Sequence, residues 1–411
     1  MILYADRILA GDRTTVWEDR AVCVQDGAIR QIGSLAQLQA AYPEEPVETF
    51  PGCTLMPGMI DLHVHLACTS EPDYHNPYNG VSLRALYAAG RMRATLAAGV
   101  TTVRDCGSAD GIGPALKRAA ADGHIPAPRI FTCLQGICMT GGHGSDALPG
   151  GVIEADGVDE VRRAVRRNLK HGADCIKVLT SEGFRGEELS QEELNAIVRE
   201  AHRFGRKAAA HAGYGRSLDM CIEAGFDSIE HGTHLTVEQA RRMREKGITW
   251  VPTVLVFHYV RENAEEQQET EQAILHRLQE KAPSPPRFLQ EKPDVDAYLS
   301  SCLAAYRQNF RSLYDTGVRV ATGTDTDCTD FGGASPVALE CTYMVRCGLK
   351  PLEAIECATK NAADHLGLGD RLGQVREGYL ADLLLVKGDP AGEITALWDV
   401  AAVYQAGRRV V

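Results

Sequence analysis

The feature that most constrains the fold is an alternation of short apolar segments with longer stretches of helical period, which begins at residue 59. Eight of these segments have the length and the Val, Ile and Ala content of buried strands. They are MIDLHVHL (59–66), TTVRDC (101–106), RIFTCL (129–134), DCIKVL (174–179), KAAAHA (207–212), SIEHG (228–232), ITWVPTVL (248–255) and RVATGTD (319–325). Eight successive strand–helix units predict the α/β class and a closed (β/α)8 TIM barrel rather than an open sheet.

The two chain ends have a different pattern, in which short strand-like pieces are separated by turn signals. These pieces are residues 21–24, 29–32, 381–386 and 400–405. At 411 residues the chain is also longer than one hydrophobic core usually serves. We therefore expect a small β-sandwich domain made of residues 1–57 and 367–411, and a TIM barrel made of residues 58–366.

Charge and hydropathy exclude two classes of partner. The chain has 43 basic and 55 acidic residues, and its net charge of −12 opposes binding to a phosphate backbone. No apolar run approaches the roughly 20 residues that a membrane-spanning helix needs. We expect a small-molecule substrate, no nucleic acid and no membrane, while the sequence leaves a homo-oligomer open.

The amino terminus and the cysteines indicate a cytoplasmic protein. The first residues, MILYADRILAGDRT, lack the basic region, apolar core and cleavage site of a secretory signal. The thirteen cysteines are scattered at irregular spacing without a CxxC pair, which is typical of thiols in a reducing compartment. They predict neither a disulfide framework nor a thiolate metal site.

The segment between the seventh and eighth predicted strands, about residues 256–318, is too long for an ordinary loop. It contains the charged run RENAEEQQETEQAILHRLQEK followed by three prolines. One interpretation is a charged helix that covers the barrel mouth. The other, which we favour, is a solvated helical insertion without a role.

Polar residues stand at the ends of five predicted strands, where an ordinary barrel core would have Val, Ile or Leu. His63 and His65 lie two apart on the first strand, so their side chains project to the same side. The others are Lys177, His211, His231 and Asp325, on strands four, five, six and eight. Each alone could be a satisfied core residue, such as a lysine paired with an aspartate. Together they predict a functional site, because six costly polar side chains share one rim.

These segments resemble the amidohydrolase superfamily. The resemblance rests on PGMIDLHVHL, CIKV, AAHAG, IEHG and TGTD, in that order, and on GYLADLLLV near the carboxyl end. It implies two divalent metal ions, with zinc the first choice for an imidazole-rich site. By resemblance, His63, His65 and Asp325 hold the more buried ion, and His211 and His231 hold the more exposed one. Lys177, carboxylated to N6-carboxylysine, is expected to bridge the two ions.

The resemblance also implies the chemistry. Two such ions lower the pKa of a bridging water so that hydroxide exists at neutral pH, and one of them can polarise the scissile carbonyl. Asp325 is expected to accept the water's proton and pass it to the leaving nitrogen. His143, in the MTGGHG segment, is the candidate for stabilising the oxyanion or contacting substrate.

The lysine, TGGHG and EHGT together look most like the imidazolonepropionase-related branch, which contains Xaa-Pro dipeptidases and metal-dependent carboxypeptidases. This resemblance predicts cleavage of a dipeptide or an N-acyl amino acid. Further candidate contacts for a substrate carboxylate are Tyr214, Arg185 and Tyr259. The alternatives are hydrolysis of a cyclic amide, or of a lactone or phosphotriester. A non-catalytic scaffold is disfavoured, because such a protein would be expected to have lost metal ligands.

Overall fold

A computed structural model describes residues 1–67, 80–145, 150–182, 186–260, 293–326 and 335–410. Within these ranges, the side chains of residues 110, 182, 186, 258–260 and 293–299 are outside the described part of the structure. No helix in the described part of the chain is both long and apolar enough to cross a membrane.

Both chain ends contribute strands to one mixed sheet. From the amino-terminal end come β1 (Ile2–Leu9), β2 (Val16–Gln25), β3 (Ala28–Gly33) and β4 (Val47–Pro57), with helix α1 (Leu35–Ala41) after β3. The other strands, numbered in chain order after those of the barrel, are β17 (Leu383–Lys387), β18 (Val400–Gln405) and β19 (Arg408–Arg409). The sheet order is β19-β18-β17-β4-β1-β2-β3, so the central pair β17 and β4 joins the two ends antiparallel.

The remaining strands build the barrel and its mouth. The eight barrel positions are occupied by β5 (Met59–Val64), β6 (Val100–Asp105), β7 (Arg129–Thr132) with β8 (Gly136–Cys138), β10 (Cys175–Leu179), β13 (Lys207–Ala212), β14 (Ser228–His231), β15 (Thr249–Val251) and β16 (Arg319–Val320). Three short strands lie beside them: β9 (Val152–Glu154), β11 (Ser181–Glu182) and β12 (Gly186–Glu187). All eight predicted strand segments contain an observed barrel strand. The expected α/β class and TIM barrel are therefore confirmed.

Helices connect the barrel strands and cover their outer side. They are α2 (Val81–Ala97), α3 (Ile112–Ala121), α4 (Gly157–Lys170), α5 (Gln191–Arg203), α6 (Gly215–Ala224), α7 (Val237–Lys246), α8 (Val254–Val260), α9 (Pro293–Tyr314), α10 (Pro336–Arg346), α11 (Pro351–Ala358) and α12 (Lys360–Leu366). Helices α5 and α7 begin with capping boxes at Ser190 and Thr236, which satisfy backbone N–H groups of the first turn. Of the segment 256–318, residues 261–292 lie outside the described part of the chain, so both interpretations of it stay predictions.

The barrel closes between its first and last strands. The Leu62 N–H donates to the Thr322 carbonyl at 3.0 Å, and the Asp325 N–H donates to the His63 carbonyl at 2.7 Å. On the other side, the third strand is broken into two pieces at residues 133–135, where Leu134 has φ 63°. Its first piece pairs with β6 and its second with β10, so the break connects two sheets into one barrel wall.

A buried carboxylate connects the chain-end sheet to the barrel. Asp382 is 3% exposed and accepts from the Arg129 guanidinium, at the start of β7, at 2.7 Å. Its other oxygen accepts from the Ala406 N–H at 2.8 Å. Because both oxygens face donors, an amide at this position would direct its own NH2 group at one of them.

We expect Asp382→Asn to lower the free energy of unfolding by about 1–3 kcal/mol, which is the usual cost of leaving a buried polar group unpaired. Asp399→Asn is the control, because the Lys387–Asp399 pair is exposed on both sides and should contribute at most about 1 kcal/mol. Thermal and denaturant unfolding measure both variants. If the two substitutions lowered the free energy of unfolding equally, the buried contacts of Asp382 would contribute no more to stability than the exposed Lys387–Asp399 pair.

Candidate metal centre

The structure brings the six predicted ligands together at the carboxyl ends of the barrel strands. Nε2 of His63 lies 3.3 Å from Oδ1 of Asp325 and 3.2 Å from Nζ of Lys177. Nε2 of His65 lies 3.1 Å from the same Asp325 oxygen. The ring centroids of His63 and His231 are 5.2 Å apart, and those of His211 and His231 are 4.4 Å apart. Five strands thus deliver one polar cluster, while the role of its members as ligands stays a prediction.

The backbone at the strand ends is bent in an unusual way. His231 has φ 65°, Thr253 has φ 51° and Asp325 has φ 54°, although none of them is glycine. Left-handed backbone in a non-glycine residue costs on the order of 1–3 kcal/mol and is found where surrounding contacts enforce it. The bend at His231 lets two consecutive residues, Glu230 and His231, both reach the buried polar cluster.

Three contacts hold His231 in this conformation. Its carbonyl accepts from the Trp250 indole N–H at 2.7 Å and from the Tyr306 hydroxyl at 3.0 Å. Its Nδ1 lies 2.7 Å from Oγ1 of Thr253. The next residue, Gly232, has φ 58°, and a Cβ there would lie 2.7 Å from the Trp250 indole nitrogen. Any side chain at position 232 would therefore displace the group that supports His231.

Two imidazoles of the cluster form hydrogen bonds through Nδ1, the ring nitrogen that points away from Asp325. These bonds determine which ring nitrogen carries the proton. Nδ1 of His63 lies 2.9 Å from Oε2 of Glu230, and Nδ1 of His65 lies 3.0 Å from the Gly107 carbonyl. A carboxylate and a carbonyl only accept, so each Nδ1 carries the proton. When the imidazole is neutral, Nε2 is then the unprotonated nitrogen, and it faces Asp325; this is the form that binds a metal.

Burial sets the protonation of the cluster. It lowers the pKa of His63 to about 4, with a further contribution from the nearby Lys177 ammonium. Burial also lowers the pKa of His211 and of His231 well below the ordinary value. The three histidines are therefore neutral at pH 7, as metal ligation requires.

The donor set fits a divalent ion. The ligand atoms of His63, His65 and Asp325 lie within 4.8 Å of one another, and two imidazoles with a carboxylate suit zinc or manganese. Lys177 is 2% exposed, and its unmodified ammonium beside His63 would repel a cation. Lys177 fits the same site only if its charge is removed or reversed.

His143 lies against this cluster, on a loop that carboxylates hold in place. Its ring centroid is 4.3 Å from that of His211. The backbone N–H groups of residues 140, 141 and 143 donate to the carboxylates of Asp156, Glu154 and Glu188, respectively. These three amides are thus already engaged, and the role of the His143 imidazole in stabilising an oxyanion stays a prediction.

The three tentative substrate contacts have different outcomes. Tyr214 is 53% exposed, and its ring packs edge-on against His234 with centroids 5.0 Å apart. Tyr259 falls in helix α8, but its side chain is outside the described part of the structure, as is the whole of Arg185. Contact of any of the three with substrate stays a prediction.

Sequence reasoning missed the charged residues directly beneath the cluster. Arg104 and Glu230 are 2% and 0% exposed and form an ion pair at 2.7 Å. Asp61, also buried, accepts from the Thr324 N–H and hydroxyl next to Asp325. The available signal was the presence of charged residues inside apolar strand segments, namely in MIDLHVHL, TTVRDC and SIEHG.

Comparisons with known proteins find a matching family and several similar proteins. The model of the Amidohydrolase family matches residues 54–410. The chain is 31% identical to ochratoxinase from Aspergillus niger over 438 residues, which cover 98% of this chain and 84% of that protein. It is 24% identical to imidazolonepropionase from Deinococcus deserti, over 96% of this chain and 92% of that protein. A crystal structure of a Xaa-Pro dipeptidase with bound methionine in the active site superposes with a TM-score of 0.83 at 27% identity, covering 99% of this chain and 98% of the other.

We expect Trp250→Phe to weaken binding of Zn²⁺ by about tenfold or more, as is usual when a group that supports a ligand is removed. The phenyl ring keeps most of the packing against Phe310 but loses the N–H that binds the His231 carbonyl. Trp398→Phe is the control, since the Trp398 N–H has no hydrogen-bond partner among the described residues. Titration of the metal-free variants with Zn²⁺ measures the effect. Indistinguishable affinities for the two variants would contradict the supporting role of Trp250.

Proposed function

Because this chain belongs to the amidohydrolase family and is a hydrolase of carbon–nitrogen bonds, we propose that it cleaves the amide bond of a dipeptide or N-acyl amino acid with two divalent metal ions. The observation that carries the proposal is the convergence of four imidazoles, a lysine and an aspartate from five barrel strands. We further propose a cytoplasmic location, which the eleven buried free cysteines of the described chain support.

Two groups of residues would hold the ions. His63, His65 and Asp325 would hold the more buried ion, and His211 and His231 the more exposed one. Lys177, as a carbamate, would bridge them. The charges are consistent with this assignment, because a carbamate at Lys177 would leave the buried site net negative and would attract cations.

When bound, the ions supply a water of lowered pKa and polarise the scissile carbonyl. The protein's own groups move the protons and hold the substrate. Asp325 would accept the proton of the attacking water and transfer it to the leaving nitrogen, which must be protonated to depart as an amine. His143 would donate to the carbonyl oxygen as negative charge develops on it.

The similarity to a Xaa-Pro dipeptidase and to ochratoxinase supports an acyclic amide substrate. A second candidate is the opening of a cyclic amide, which the similarity to imidazolonepropionase favours. Cleavage of a lactone or phosphotriester by the same centre is a third outcome that a substrate panel would reveal.

We expect close to two divalent ions per chain when the metal-free protein is reconstituted with Zn²⁺ and bicarbonate. Carbamate formation needs carbon dioxide, so omission of bicarbonate should reduce the metal content. Lys177→Met should bind fewer ions under either condition, because its thioether cannot form a carbamate. Elemental analysis and intact mass measure the metal and the added carboxyl group. A wild-type protein that binds one ion regardless of bicarbonate would contradict the bridged centre.

We expect Asp325→Asn to lower kcat by about a hundredfold or more while much of the metal remains bound. The amide oxygen can still face the ion, but an amide cannot accept the proton. Parallel measurement of metal content and turnover separates these two functions of Asp325. Near-normal turnover in the metal-loaded variant would assign the general base to another group.

A panel of dipeptides and N-acyl amino acids, each with a free and an amidated carboxyl group, tests the substrate class. We expect higher kcat/KM for the free carboxylates, because the proposed substrates carry one beside the scissile amide. His143→Asn should lower kcat/KM on the preferred substrate without loss of metal. Equal rates on free and amidated members would favour the cyclic amide or a general N-acyl hydrolase.

A further inference from the structure

An ionic group lies directly beneath the candidate metal centre, in a position that the proposed chemistry does not use. The interior of a TIM barrel is normally filled by layers of aliphatic side chains. Here Arg104 of β6 and Glu230 of β14 occupy that interior, and their exposed fractions are only 2% and 0%. A buried ion pair seldom stabilises a fold more than apolar side chains of the same size would. Stability alone therefore gives little reason for charges at this depth.

Every polar atom of the pair has a definite partner. The Arg104 guanidinium donates from Nε to the Leu62 carbonyl, from Nη1 to the Ser228 hydroxyl and to Nε2 of His365, and from Nη2 to Oε1 of Glu230. With Oε1 so occupied, the second Glu230 oxygen, Oε2, faces Nδ1 of His63 at 2.9 Å. The guanidinium thereby fixes the orientation of the carboxylate, and the carboxylate presents an acceptor to the imidazole.

We propose that Arg104 and Glu230 are positioning residues that lock His63 in the tautomer with the proton on Nδ1, so that the Nε2 lone pair is presented to the metal. The inference rests on the proposed function, because it assigns His63 as a ligand. None of the hydrogen bonds of Arg104 goes to a predicted ligand, so its effect on His63 is exerted through Glu230. The arrangement matters because an imidazole with its proton on Nε2 would direct an N–H, not a lone pair, at the ion.

The donor pattern explains why a neutral amide cannot replace the carboxylate while Arg104 is present. In Glu230→Gln, the single amide oxygen must face the guanidinium, since NH2 cannot accept from it. The NH2 group then faces Nδ1 of His63, and the imidazole must accept there and carry its proton on Nε2. If Arg104 is replaced by methionine as well, the amide is free to turn its oxygen towards His63.

The tautomer can be observed directly in the wild-type protein. In the metal-free protein labelled with ¹⁵N-histidine, the two ring nitrogens of His63 have distinct chemical shifts for the protonated and unprotonated forms. The His63 signals are identified by their loss in His63→Asn. We expect a protonated Nδ1 and an unprotonated Nε2. A proton on Nε2 would overturn the proposal.

Two double variants test the consequence for metal binding without leaving a buried charge. Glu230→Gln/Arg104→Met retains an acceptor for His63, whereas Glu230→Leu/Arg104→Met has none. We expect the first to bind Zn²⁺ about tenfold or more tightly than the second, in the presence of bicarbonate. Melting temperatures of the metal-free variants show whether they are equally folded. Equal Zn²⁺ affinity of two folded variants would overturn the proposal.

The single variant Glu230→Gln completes the set. We expect it to bind Zn²⁺ about 10–100-fold more weakly than wild type, and we expect the added Arg104→Met to restore the affinity.

Glu200→Gln is the matched control, because Glu200 is also buried and pairs with Arg166 at 2.6 Å on the outer side of the barrel. It should lose stability without losing metal affinity. If the folded double variant Glu230→Gln/Arg104→Met did not regain Zn²⁺ affinity, the positioning role of Arg104 and Glu230 would be refuted. A wild-type protein that binds no metal would instead refute the proposed function, and the NMR result would still stand.

Discussion

The pairing of buried charges beneath the barrel mouth is the constraint on which the rest of the site depends. An isolated charge at this depth would cost several kcal/mol, so each buried charge must have a partner or change its protonation. Glu230 remains ionised because Arg104 lies against it, although burial alone would raise its pKa. The same burial keeps the imidazoles neutral. A cluster of neutral nitrogens around one or two carboxylates is an environment that attracts a divalent cation.

Closure of the barrel brings residues of the site that are distant in sequence into contact. His63 and Asp325 are 262 residues apart, yet the backbone hydrogen bond between them places the first and last strands side by side. Their side chains then meet at 3.3 Å without any flexible connection. The break in the third strand has a related effect, because it lets the following loop bring His143 over His211. Four of the predicted ligands, His63, Lys177, His211 and His231, thus lie on barrel strands, an arrangement that favours preorganised catalysis.

Hydrogen bonds from the surrounding protein hold several residues of the site in place. Thr253 contacts His231, Gly107 accepts from His65, and Glu188 holds the backbone of His143. Such contacts fix ring orientation and reduce the reorganisation needed when a metal or substrate binds. They also explain the strained backbone at His231, since a carbonyl held by both Trp250 and Tyr306 cannot relax easily. Tyr306 belongs to α9, so the helix that follows residues 261–292 reaches the back of the site.

The sequence by itself determined the eight strands, the shared side of His63 and His65, and the six polar residues at strand ends, because periodicity and side-chain alternation are local properties. Only the tertiary structure revealed that Arg104 lies beneath the site. It also revealed that the side chains of two consecutive residues, Glu230 and His231, both contact the same polar cluster. Strict alternation places consecutive residues on opposite sides of a strand, so the sequence pattern could not assign both to the interior. The left-handed backbone at His231 brings them together, and contacts from Trp250 and Tyr306, distant in sequence, stabilise that conformation.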